Sequence, residues 1–132
     1  MNASAENDIM ARFPDGELID FIASGNLRMF ERFCHRWLAQ GTTMAAQATS
    51  DPHLALDVAR RALLRLWQTA PAHLGHRGDV SPLVARFVDE AAREPTVLPA
   101  LAGKDLVGDI VAAAHALPQA DPRGLLSRMI RW

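Results

Sequence analysis

Tyrosine is absent, cysteine occurs once, and the aromatic residues amount to three Trp and five Phe among 132 positions. The single Cys34 rules out a disulfide within the chain, so packing has to supply the stability. Charge of either sign is not in excess either, with a formal net value of −1. That balance denies the chain the broad basic field on which nonspecific nucleic-acid binding depends, so any such contact has to be local. No apolar run approaches the roughly 20 residues that cross a bilayer as a helix, and no membrane span is expected. Residues 1–12 lack a charged and then apolar leader, which together with the lone thiol gives the expectation of a cytoplasmic protein.

Recognisable catalytic spacings are missing as well. There is no glycine-rich phosphate loop, no pair of histidines framing a helical Glu and no pair of Cys-x-x-Cys clusters. His73 and His76 share one segment while Cys34 and His35 lie elsewhere, a set too dispersed for the clustered thiolates of a structural zinc site. Cys34 and His35 do not make a nucleophile and base, because helical neighbours point about 100° apart. Cys34 reads as a small core residue. The chain is therefore expected to carry no metal and no cofactor, and not to be an enzyme.

What is present is a helical pattern. The chain is 49% hydrophobic and 22% charged, enough to bury a core, and its length suits one compact domain. Abundant Ala and Leu against few aromatics favour helix over sheet. The expected fold is all-α, a compact bundle of about five to six helices. Residues 1–12 read as a flexible arm, 13–94 as the main helical domain and 95–132 as a helical extension packed on it.

Within that frame the first helix is expected at about 16–24, with Asp15 as its cap, an apolar face of Leu18, Ile19, Phe21 and Ile22, and Gly25 as its left-handed stop. Asn26 caps a second helix bearing Leu27, Phe30, Phe33, Cys34, Trp37 and Leu38, with Gly41 as its stop or kink. Residues 42–50 allow either a continuing helix or a crossing connection. Asp51 followed by Pro52 starts a central helix to about residue 69, and 70–80 form a loop. Ser81-Pro82 opens a helix with Leu83, Val84, Phe87, Val88 and Ala91 inside, ending before Pro95. A further helix is expected at about 104–117, burying Leu106, Val107, Ile110, Val111 and Ala114. A short one at 121–131 is too apolar, through Leu125, Leu126, Met129, Ile130 and Trp132, to stand free.

The central helix, ALDVARRALLRLW, is the densest feature. Leu54, Ala55, Val58, Ala59, Ala62 and Leu66 fall on one arc and Asp57, Arg61, Arg65 and Gln68 on the opposite one. Leu56, Arg60, Leu63, Leu64 and Trp67 widen the apolar side beyond the roughly 100° stripe of a surface helix. These border residues are either buried on a second side or offered to a partner. Trp37 and Trp67 both read first as core aromatics.

The order of segments ELIDFIASGNLRMFERF, then an Asp-Pro helix start, then ALDVARRALLRLWQTAP, then RGDVSPLVARFVDEAAR resembles the second conserved domain of bacterial extracytoplasmic-function sigma factors, over residues 15–93. In that family the central helix reads roughly A-E-D-V-V-Q-E-V-F-L-R-L-W and docks on RNA polymerase, and the following helix handles promoter DNA. The resemblance implies a region 2-like fold with Leu56, Asp57, Arg60, Arg61, Leu63, Leu64 and Trp67 as the partner-binding set. It likewise implies Arg77, Arg86 and Arg93 as the DNA-facing residues. The chain departs from the family where Leu56 and Asp57 replace its acidic pair, Arg60 and Arg61 its Gln-Glu pair, Leu63 its Phe and Leu83 its common Trp. Asp89, Glu90 and Glu94 stand where the family is usually basic, and 95–132 does not match its helix-turn-helix reader.

The leading expectation is a degenerate sigma-like interaction module in transcription control, with an anti-sigma factor or the RNA polymerase core as partner. The alternatives are a divergent sigma subunit with promoter-DNA contact, and an interaction protein unrelated to transcription that forms a homodimer through its C-terminal segment.

Overall fold

The computed structural model describes residues 14–76, 78–94 and 105–119, and these form five packed α-helices with no strand among the described residues. The helices are α1 (Asp15–Ala23), α2 (Leu27–Ala48), α3 (Ala55–Thr69), α4 (Ser81–Arg93) and α5 (Leu106–Ala116). Single 3₁₀ turns at Pro52–Leu54 and Ala70–His73 flank α3. The architecture is the expected all-α bundle. The arm at 1–12, Arg77, the segment 95–104 and the expected last helix at 121–131 lie outside the described residues.

Helix α1 buries Gly16, Leu18, Ile19 and Ile22 and leaves Phe21 37% exposed, so Phe21 does not belong to its inner face as expected. Pro14, and not Asp15, occupies the cap position. Asp15 sits in the first turn and bonds across to α2, accepting from Arg36 Nη1 at 2.8 Å and from Trp37 Nε1 at 3.1 Å. Negative charge at a helix start is favourable in itself, and here it also staples two helices. Gly25 takes a φ of +89° to end the turn, and the Asn26 side chain accepts the Met29 N–H at 3.1 Å to start α2. Both expectations at that junction hold.

Gly41 does not stop α2, which continues to Ala48. A Cβ on Gly41 would lie 3.8 Å from the Ala59 Cβ, an ordinary van der Waals contact, so the position faces α3 with room for a methyl. Small residues on both sides let α2 and α3 approach closely. Thr42 and Thr43, poor helix formers, are accommodated by donating their hydroxyls to the carbonyls of Leu38 and Ala39. Asp51 caps the 3₁₀ turn by accepting the His53 N–H, and α3 begins three residues later than the Pro52 start suggests.

Helix α3 is the centre of the bundle, packed against α2, α4 and α5. Helix α4 turns Leu83, Val84, Phe87, Val88 and Ala91 inward as its spacing requires. Helix α5, capped by Asp105 through the Gly108 N–H, buries Val107, Ile110 and Ala114 against α2 and α3 and leaves Leu106 and Val111 half-buried. Cys34 is fully buried, and burial together with the nearby Glu31 charge pushes its thiol far above the ordinary range. None of the described helices is long and apolar enough to cross a membrane.

Candidate functional site

The border residues of α3 divide between core and surface. Leu63, Leu64 and Trp67 are 2%, 6% and 5% exposed, sealed by the chain's own helices. These three members of the expected partner-binding set are thus covered by the chain's own packing in this structure. Trp67 stacks at a tilt on Phe30, with ring centroids 5.3 Å apart, and donates its indole N–H to the Leu117 carbonyl at 3.1 Å. It anchors the chain beyond α5 to the centre of the bundle.

Arg60 is also buried, 5% exposed. Its guanidinium turns to Asp57 Oδ1 at 2.7 Å, while Arg61 Nε reaches the other oxygen of the same carboxylate at 2.9 Å. One acid thus holds two cations. Arg61 goes further, donating through Nη1 to the Ala91 carbonyl at 2.9 Å and to Glu94 Oε2 at 3.4 Å. A cation at the last turn of α4 is favoured by the helix dipole. Arg65, one turn on, contacts Glu90 at 3.2 Å and pairs with Glu94 as well. Arg86 closes the network on the outer side, 3.6 Å from Glu90, with its guanidinium 5.1 Å above the Phe87 ring.

The arginines and acids that look out of place one helix at a time are therefore partners of one another across α3 and α4. Of the expected partner-binding set, Leu56 is half-buried, and Asp57 and Arg61 reach the surface only at the edge of this network. Of the expected DNA-facing residues, Arg86 and Arg93 are exposed on α4, and Arg77 lies outside the described residues.

A second feature had no signal in the residue pattern. The loop after α3 folds back on α1, where the His76 carbonyl stands only 2.7 Å from where a Gly16 Cβ would be and Asp20 Oδ1 accepts the Gly75 N–H at 2.9 Å. Between loop and helix runs a groove of about 520 Å³ lined by Pro14, Gly16, Glu17, Asp20, Phe21, His76 and Gly78. Phe21 and Leu74, the two exposed large hydrophobic residues among the described ones, are chain neighbours of the Asp20 and Gly75 that join helix to loop.

On the other side of the same loop the His73 ring meets Phe87 edge-on at 5.8 Å. Burial, then the charges of Arg86 and His76, holds His73 below the usual histidine range. Asp79 is held low chiefly by the Ser81 N–H and hydroxyl. Among the described residues, no three His, Cys, Asp or Glu side chains group closely enough to hold a metal ion. The chain matches no protein-family model, no curated protein and no solved structure.

Proposed function

We propose that this chain is a sigma region 2-like helical module that acts through protein contacts in transcription control, with an anti-sigma factor or the RNA polymerase core as its partner. The supporting observation is the compensated charge along α3 and α4. Asp57 engages Arg60 and Arg61, while Glu90 and Glu94 engage Arg61 and Arg65. A strip of mutually paired ions suits a polar protein surface better than a polyanion, which rewards uncompensated cations. The departures from the family pattern at Arg60, Arg61, Glu90 and Glu94 then form one coordinated change. A pull-down with purified, folded protein tests the reading: retention of neither anti-sigma factors nor core polymerase removes it.

A second reading, a divergent sigma subunit with promoter-DNA contact, draws on a separate observation. Glu90 and Glu94 are paired back toward α3, and Arg86 and Arg93 face outward on α4. Binding of single-stranded promoter DNA that weakens steeply with salt supports this reading; an absence of polymerase-dependent transcription excludes it.

A further inference from the structure

The groove along α1 combines an apolar wall with acid. Phe21 and Pro14 supply the first, Glu17 and Asp20 the second. Its occupant needs apolar side chains and cations together, and residues 120–132 have that composition. That segment carries Leu125, Leu126, Met129, Ile130 and Trp132 with Arg123, Arg128 and Arg131 against a single acid, Asp121. Leu125, Leu126, Met129 and Ile130 have the spacing of one helical face.

Position agrees with composition. Gln119, the last described residue before the segment, donates its side-chain amide to the Ile22 carbonyl at 2.7 Å and to the Trp67 carbonyl at 3.1 Å. The segment therefore starts at the C-terminal end of α1, next to Phe21. From Ile22 back to Pro14 the groove side of α1 runs about 12 Å, and the segment is long enough to cover about 20 Å as a helix or about 43 Å extended.

We propose that residues 120–132 dock within their own chain in the α1 groove, with their apolar residues on Phe21 and Pro14, beside Leu74 of the neighbouring loop, and their arginines toward Glu17 and Asp20. The site stands apart from the sigma-like reading, because it needs only the groove and the segment, whatever binds α3 or α4.

The test places a photoreactive p-benzoylphenylalanine in the full chain in place of Phe21 and, in a second protein, in place of Leu74. Both positions are exposed, so the larger ring does not have to enter the core. Irradiation is expected to give an adduct at monomer mass joining either position to a peptide from 120–132. Its yield should fall by about fivefold or more when Arg123→Glu, Arg128→Glu and Arg131→Glu are introduced together. Adducts from both positions that miss 120–132 overturn the proposal. So do adducts formed only between two molecules, which assign the groove to a second copy, and a yield indifferent to the charge reversal.

Discussion

Replacing Arg61 by Glu shows whether the α3–α4 network stabilises the fold or merely decorates it. The native side chain is 10% exposed and lies 2.9 Å from Asp57 and 3.4 Å from Glu94, with a further 2.9 Å bond to the Ala91 carbonyl. A charged hydrogen bond is worth about 1.5–3 kcal/mol, and the substitution removes the donor while leaving its acceptors in place. The new carboxylate also stands one helical turn from Asp57 and faces Glu94, adding roughly 1 kcal/mol of repulsion after solvent relaxation. A total near 3–4 kcal/mol is a large share of a stability of about 5–15 kcal/mol. Urea unfolding followed by circular dichroism should show a lower midpoint at unchanged slope. Adding Glu94→Arg should return about 1–2 kcal/mol as a coupling between the two sites. A loss below about 1 kcal/mol for Arg61→Glu, or no coupling, refutes the reasoning. The outcome bears on the proposed partner binding too, because Arg60→Gln with Arg61→Glu, the pair that would give α3 the charge pattern of the sigma factors it resembles, can be assayed only in a chain that still folds.

Two glycines should respond in opposite directions in the same assay. Gly41→Ala meets Ala59 at an ordinary 3.8 Å and gains helix propensity, raising stability by about 0.5–1 kcal/mol, whereas Gly16→Ala drives a methyl onto the His76 carbonyl and should cost about 1–3 kcal/mol. Trp67→Ala, which empties a buried ring site and abandons the Leu117 carbonyl, should cost about 3–5 kcal/mol; a change below about 1 kcal/mol would return Trp67 to the surface. His73 is depressed in the folded state, so the unfolded chain binds the proton first. Its contribution is present above the usual histidine value and is lost as pH falls through the depressed one. Denaturation midpoints measured from about pH 7 to about pH 5 should fall less steeply in His73→Gln than in the native chain.

Much of the helix layout was legible because it is written in local terms. Gly25, Asn26 and the inward set from Leu83 to Ala91 act within one turn of themselves, through φ, a cap bond or the 3.6-residue period. What escaped depends on a second element. Asp15 has the chemistry of a cap, yet Arg36 and Trp37 on α2 claim its carboxylate. Gly41 looks like a helix stop until Ala59 is seen opposite it. Arg61 cannot be told from an outward cation while α4 is unplaced, because its partners include Glu94 and the Ala91 carbonyl thirty positions away. The groove exists only through the fold-back of Gly75 and His76 onto Asp20 and Gly16, and no period encodes that contact.

The Gln119 amide joins carbonyls at Ile22 and Trp67 across separations of 97 and 52 residues. In an open chain, closing the larger of these loops would cost about 4 kcal/mol of entropy. On that cost the joint is expected to form late in folding, after α2 and α3 have brought the two ends near. It also ties the residue that follows Pro118 to the C-terminal ends of both α1 and α3. In native-state hydrogen exchange, amides of α1 and α5 should share one opening free energy, and Gln119→Ala should lower it for both while leaving the α2–α3 amides protected.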